Sequence, residues 1–494
     1  MTALIYSIII VYTLIAAILF LYACAQLNLL FNYLKSKKTK LTHSKIDLNT
    51  LKKGYPRVTI QLPVFNEFYV MKALLENIGK IDYPKDRLEI QVLDDSTDES
   101  YELTKTYVSQ LKDRGFDIKH LHRTIREGFK AGALKEGLSS ATGDFIAIFD
   151  ADFLPKSNWL LETLPYFYAD NIGVIQTRWT HINRDYSLLT KVQAFMLDAH
   201  FTIEQVGRNS KNHFINFNGT AGIWRKSCIL DAGNWNGDTL TEDLDLSYRA
   251  QLKNWKFIFL EDVETLAELP VVIAAAKSQQ FRWNKGAAEN FRKNIKRLYQ
   301  NKNIAAITKI HGTFHLLNSS MFLGVFIIAL LSVPMLYIKT QYPILQGYFV
   351  VMGFFVITTL IFLLYYWVMY KKVYGKGLVH FIRFIGLFLA FFSIAVGLSL
   401  HNTWAVLEGH LGKKSDFIRT PKFNLTSGFN SILENKYLAK NISATSVAEG
   451  ILMLYFSFGI YSAFKLGDFG FTLFHLMLVF GFGYLFFQSL MTKR

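Results

Sequence analysis

"LSSATGDFIAIFDADFLPKSNWL", residues 138–160, decides how the surrounding chain folds. Its apolar run, Phe145 to Phe149, stops at Asp150-Ala151-Asp152. A short apolar segment bounded by polar residues suits a strand buried on both faces, as in a parallel α/β sheet. Paired carboxylates at the C-terminal end of such a strand stand where open α/β sheets bind ligands. Oxygen donors this close suit a hard divalent cation, Mg²⁺ or Mn²⁺, of the kind that also binds substrate phosphates. Taken alone, the same pattern is more often a pair of solvated aspartates in a turn.

Working outward, the composition from about Gly54 to Pro270 is that of a globular domain. "RVTIQLPV", "LEIQVLDD", "DIKHLHR" and "FIAIFDAD" alternate with helical stretches near residues 68–79, 98–112 and 130–140. This βαβ series predicts a parallel sheet with helices on both faces. Asn66 with Glu67, Asp94 with Asp95, and Asp150 with Asp152 then share one sheet edge, which marks that edge as a site.

The whole chain has 494 residues, 51% of them hydrophobic and 19% charged, with a net charge of +16. Its mean hydropathy of +0.20 is too high for an ordinary soluble protein. Residues 3–31, 314–338, 346–370, 446–464 and 469–490 are apolar and long enough to cross a bilayer. "KSKKTK" (35–40), "KKVYGKG" (371–377) and the terminal "TKR" flank them. Basic residues beside apolar spans obey the positive-inside rule and speak against nucleic acid as the partner. Residues 381–400 are apolar too, but a full crossing would carry the basic loop 411–440 outside. Five crossings plus one interfacial or re-entrant segment are therefore expected. The two cysteines, Cys24 and Cys228, imply no disulfide framework.

Four further stretches carry chemistry. "TEDLDLSYR" (241–249) sets Glu242 and Asp243 at a helix start, where a carboxylate either caps the helix or takes a proton from an attacking hydroxyl. "QQFRW" (279–283) places Gln279, Arg282 and Trp283 on one helical face, offering an amide, a guanidinium and a ring. "REGFKAGAL" supplies Arg126 and Lys130 ahead of small residues, a pattern able to hold a diphosphate. "FINFNGTAGIWR" (214–225) is rich in small residues around Gly219, Thr220 and Gly222, where a sugar chain could approach the backbone.

In this order, "PVFNE" (63–67), "LDD" (93–95), "FKAG" (129–132), "DAD" (150–152), "TED" (241–243), "QQFRW" and "FIRTPK" (417–422) make the sequence resemble the processive family 2 glycosyltransferases of the cellulose synthase superfamily. "VIQTRW", "FNGTAG" and "WKFIFLEDV" look like the cellulose-synthase-like A and C branch, whose members make mannan and glucan backbones. The resemblance implies an α/β GT-A domain, a Rossmann-like mixed sheet, inserted in a transmembrane helical region with interfacial helices. It divides the chain into an N-terminal membrane helix (1–34), a cytoplasmic catalytic domain (50–270) and interfacial helices (271–312). A membrane helix pair (313–370), an interfacial segment with a gating loop (378–445) and a C-terminal helix pair (446–494) follow.

By the same resemblance, Pro63, Asn66, Glu67, Asp94 and Asp95 would hold the nucleoside, and Lys130 the diphosphate. Asp152, with Asp150, would bind it through Mg²⁺ or Mn²⁺. Asp243, beside Glu242, would be the general base. Gln279 and Arg282 would stabilise the leaving nucleotide, and Trp283, Gly219, Thr220 and Phe417 would meet the acceptor. Thr420 and Lys422 would close over the nucleotide in a gating loop. Arg419 departs from the family's pattern, which has valine there.

The implied activity is inverting polymerisation of a β-mannan or β-glucan from GDP-mannose or UDP-glucose. The growing glycan would leave through a polar, aromatic-lined channel beginning near Trp283. Its site would be a plasma, inner or Golgi membrane, with or without an accessory subunit. The main rival is a single-transfer enzyme acting on a membrane lipid, as ceramide glucosyltransferases do. A transporter or scaffold with a degenerate nucleotide-binding domain is a more distant rival, because ionisable residues inside the spans are sparse.

Overall fold

The computed structural model describes residues 2–39, 44–50, 54–423 and 443–491. The rest of loop 411–440 from residue 424 onward, the terminal "TKR" and Lys40 of "KSKKTK" lie outside the described residues.

A long apolar helix, α1 (Thr2–Thr39), leads into the globular part. Strand β1 (Val58–Val64) is followed by helix α2 (Met71–Ile78), β2 (Leu88–Asp94), α3 (Ser100–Asp113), β3 (Asp117–His122), α4 (Phe129–Ser140) and β4 (Phe145–Ile148). These bounds follow the alternation read from the sequence to within a few residues. β5 (Ile172–His181), β6 (Gly222–Arg225) and β7 (Lys256–Ala267) complete one sheet in the order β3-β2-β1-β4-β6-β5-β7. β1 pairs in parallel with β2 and β4, and β2 with β3. β6 runs antiparallel to both β4 and β5, whereas β5 and β7 are parallel. The sheet is therefore mixed, parallel only over the stretch that the βαβ series covers.

Its two faces bury separate apolar clusters. Val58, Ile60, Leu62, Leu74, Leu75, Trp159 and Ile223 belong to one, and Leu134, Ile146, Ile148, Phe217, Trp224 and Trp235 to the other. The strands are not wholly apolar. Thr59 donates to Glu89 Oε2 at 2.6 Å and Gln61 to Gln91 Oε1 at 3.0 Å, so these two buried donors are paired, as burial favours. Small residues let the helices close on them: a Cβ on Gly137 of α4 would lie 2.8 Å from the Gln61 amide nitrogen and 2.6 Å from Leu93.

After β7 comes the helix Ile273–Gln300, which carries "QQFRW". Among the described residues, six helical segments are long and apolar enough to cross a membrane: Ala3–Lys38, Ala306–Gln341, Pro343–Val373, Leu378–Gly397, Ala444–Leu466 and Thr472–Met491. Leu378–Gly397, which the charge balance assigns to the interface, has this length and composition too. A third apolar cluster joins the two regions, with Leu30 and Tyr33 of α1 packed beside Phe195, Ile273, Phe384 and Phe391.

Candidate active site

Because β2, β1 and β4 are parallel neighbours, the residues just past their C-terminal ends meet at one edge. A cleft opens there, lined by Glu67, Asp95, Lys130, Asp150, Asp152, Glu242, Asp243, Gln279, Arg282 and Trp283. Pro63 and Gly219 also line it, as do Phe417, Thr420 and Lys422 from the segment after the helix Ser399–Leu411. Residues more than 300 positions apart in the chain thus face one another.

β4 ends at Ile148, and Phe149 packs edge-on against Trp159 with ring centroids 4.8 Å apart. The Asp150 amide then donates to Thr220 Oγ1 at 2.9 Å, which aims the aspartate outward. Lys130 Nζ donates to Asp150 Oδ1 at 2.5 Å and to the Gly219 carbonyl at 2.9 Å. Lys422 Nζ lies 2.7 Å from Asp152 Oδ2. Asp152 Oδ1 is buried and has no hydrogen-bond partner among the described residues.

Orphaned carboxylate oxygen beside two ammonium-paired ones fits a divalent cation, which suits oxygen donors and completes its shell with phosphate or water. No group of three or more His, Cys, Asp or Glu side chains able to hold a metal occurs among the described residues. Asp150 and Asp152 are accordingly the protein's own share of any such site.

Also lining the cleft, the helix Glu242–Leu252 begins with the two acidic residues. Gly219, at φ +80°, brings its backbone so close that an added Cβ would stand 3.2 Å from Asp243 Oδ2. Burial, with the charge of Glu242 beside it, pushes the Asp243 carboxyl up to about 7. Glu242 is raised as well, again chiefly by burial. Burial alone would lower Lys130, but the charges of Asp150, Glu242 and Asp243 hold it above the usual lysine range. Arg282 is brought down to about 10 by burial. An acid poised near neutrality next to permanent cations is the electrostatic pattern of a functional site.

Three expected residues do not line the cleft. Asp94 is buried beneath it, accepting from the Ser96 amide at 2.8 Å and bonded to His120 Nε2 at 2.7 Å. Burial opposes its ionisation, but those bonds hold its carboxyl below the usual range. Asn66 sits at φ +54° and ties two loops, its Oδ1 accepting from the Thr97 amide at 2.9 Å. Thr220 supports Asp150, as described. Each stands next to a cleft residue and shapes it from behind.

Two cleft neighbours, Arg123 and Asn218, stand outside the motif residues named above, whereas Arg126, from "REGFKAGAL", also lines the cleft. Arg123, at the end of β3, grips Asp95 with Nε and Nη2 at 2.7 and 2.6 Å. Arg126 stacks on Phe65 with its guanidinium 3.5 Å from the ring centroid. Asn218, held by Gln205 Nε2 at 2.7 Å, faces the cleft beside Gly219. Arg123 was visible as the last residue of "DIKHLHR" on the ligand-binding edge; Asn218 had no signal beyond its Gly-rich neighbours.

Residues 56–286 match the model of the family "Glycosyltransferase like family 2". The chain is 33% identical over 386 residues to glucomannan 4-beta-mannosyltransferase 2 of Arabidopsis thaliana, covering 75% of this chain and 68% of that protein. It belongs to the family 2 glycosyltransferases. Glucomannan 4-beta-mannosyltransferase 9 of the same plant is 41% identical over 287 residues, 57% of this chain and 54% of that protein. The chain spans about half the length of this and several other curated relatives it matches. A solved structure of a mannosyltransferase from Pyrobaculum calidifontis, in complex with GDP-Man and Mn²⁺, shares the fold at a TM-score of 0.56. It is 18% identical, and the match covers 82% of this chain and all of that one. The GT-A fold expected from the motifs is therefore present in this family 2 glycosyltransferase.

Proposed function

We propose that this family 2 glycosyltransferase polymerises a β-linked mannan from GDP-mannose at a membrane. One observation carries the reading: Asp243 shares a single cleft with Lys130, Arg282 and the Asp150–Asp152 pair. The preference for mannose over glucose rests on the relatives named glucomannan 4-beta-mannosyltransferases.

In this reading Asp243 accepts the proton of an acceptor hydroxyl, whose oxygen bonds to the anomeric carbon as the bond to the diphosphate breaks. A single base for the acceptor and no second carboxylate nucleophile describe an in-line displacement, so an α-linked donor yields a β-linked product. Lys130 and Arg282 balance the charge that develops on the leaving diphosphate. Asp150 and Asp152 would hold a divalent cation, which when bound neutralises that same diphosphate. Trp283 offers a ring face to the terminal acceptor sugar, beside Gly219. Glu67 and Asp95 take the nucleoside end, and Thr420 and Lys422 close over the nucleotide at its diphosphate. The apolar helices fit a catalytic domain on the cytoplasmic side and an exit path for the polymer.

The test is synthesis by purified protein in nanodiscs with Mn²⁺ and labelled GDP-mannose or UDP-glucose, beside Asp243→Asn. A β-mannanase-sensitive polymer from GDP-mannose, absent in the variant, supports the reading. A glucanase-sensitive polymer from UDP-glucose would replace the sugar, and one sugar on an organic-extractable lipid would replace processivity.

A further inference from the structure

We propose that Arg419 is a positioning residue of the donor site, which clamps Glu67 and so seats residues 413–423 across the cleft. The latch itself is independent of the glycosyltransferase reading; only its consequence for the donor rests on that reading.

The two side chains are 352 positions apart and meet in a fork: Arg419 Nε donates to Glu67 Oε1 at 2.9 Å, and Nη2 to Oε2 at 2.7 Å. Only about a tenth of either side chain is exposed, 11% for Arg419 and 9% for Glu67. A bidentate, charge-assisted pair is among the stronger polar contacts a protein makes. Taking away one partner of a buried pair leaves the other charge uncompensated, which is strongly unfavourable.

At its start the segment is moored to Glu408, which accepts from Lys413 Nζ at 2.5 Å and from Ser415 Oγ at 3.2 Å. Beyond that point the chain crosses the cleft mouth. Phe417 lies under the Arg282 guanidinium, 4.7 Å from ring centroid to carbon, and the Ile418 carbonyl accepts from Arg282. Thr420 Oγ1 accepts from Arg282 Nη2 at 2.8 Å, Lys422 reaches Asp152, and the Phe423 amide donates to Glu268 at 3.2 Å. Most of these contacts gather around Arg282 and Asp152. On the far side Phe417 stands 5.9 Å from both the Arg126 guanidinium and the Phe129 ring, and Arg419 makes the charged tie there, to Glu67 just past β1. A valine at 419 could make no such bond.

The consequence is geometric. With Glu67 clamped, Thr420 and Lys422 are held where a donor diphosphate would lie. Without the clamp, the segment keeps its mooring at Glu408 and its Phe417 contacts but loses its bidentate tie to Glu67.

Hydrogen–deuterium exchange on the full chain in detergent, without nucleotide, reads the latch directly. Amides of residues 413–423 are expected to exchange about tenfold faster in Arg419→Val and in Glu67→Gln, and no faster in the double variant. Arg419→Lys, which keeps one bond, should fall between. Unchanged exchange in the peptides of β1 to β4 is the control for folding. Wild-type protection in Arg419→Val, or additive effects in the double variant, would overturn the latch. In turnover, Arg419→Val should raise the donor KM about tenfold with kcat within about twofold; an unchanged KM beside a deprotected segment would overturn the role at the donor site. If the wild type transfers neither sugar, the proposed polymerisation from these donors falls, and the exchange result still decides the latch.

Discussion

Asp243 owes its weakened acidity to position: the start of a helix should favour a carboxylate, yet burial and Glu242 outweigh that help. The sign for catalysis follows. A base must be ionised, so kcat/KM should fall about tenfold per unit as pH drops below about 7 and level off above it. Asp243→Asn should lower kcat by about 10²–10⁴-fold and leave donor binding intact, checked by single-turnover kinetics and nucleotide titration. The sign for stability is opposite. A carboxyl whose folded-state value is raised favours the fold when protonated and loses that contribution as pH rises through about 7. Asp243→Asn should therefore raise the melting temperature at pH 8 more than at pH 5. Asp152 makes a separate prediction. Its unpartnered Oδ1 is the oxygen a cation would take, so Asp152→Asn should raise the Mn²⁺ concentration for half-maximal activity at least about tenfold, read by metal titration.

Among the elements, β4 and its neighbours depend on close backbone approach. A Cβ at Gly143, just before β4, would stand 2.4 Å from the Thr59 amide nitrogen and 2.7 Å from the Val58 carbonyl carbon. Neither atom can yield without moving β1, so Gly143→Ala should cost about 1–3 kcal/mol, visible as a lowered melting temperature. The sheet edge is legible in the sequence because its signal is local: an apolar run, then acids, at β1, β2 and β4. β6 was not, since Gly222–Arg225 is only a strand's fragment inside a glycine-rich turn, and nothing in it declares an antiparallel partner. Arg419 shows the other limit. Its departure from the family's valine was plain in "FIRTPK", but the partner that gives the change meaning, Glu67, lies in another element.

For the whole molecule, the question is how the globular domain is fixed to the apolar helices. The helix that carries Gln279, Arg282 and Trp283 is bolted to the C-terminal hairpin by Lys277, whose Nζ lies 2.7 Å from Glu449 Oε2 and 3.4 Å from Ser489 Oγ. His401 bonds the Lys277 carbonyl at 2.9 Å from a further helix. Lys277→Met should destabilise by about 3–5 kcal/mol, because Glu449 is left buried and uncompensated, whereas Lys277→Met with Glu449→Leu should recover most of the loss. Thermal unfolding of the two variants in nanodiscs checks this. Such a bolt was unreadable from sequence, where Glu449 is one acid near the start of an apolar span. The motif set could place the acids and bases in one cleft, yet it was silent on what holds that cleft at the membrane. The central claim is that this cleft builds a β-mannan. Its most direct measurement is linkage analysis of the product formed from labelled GDP-mannose and Mn²⁺ in nanodiscs. A long β-linked mannan that disappears with Asp243→Asn is predicted; α-linked mannose, or a single mannose on lipid, would contradict the account.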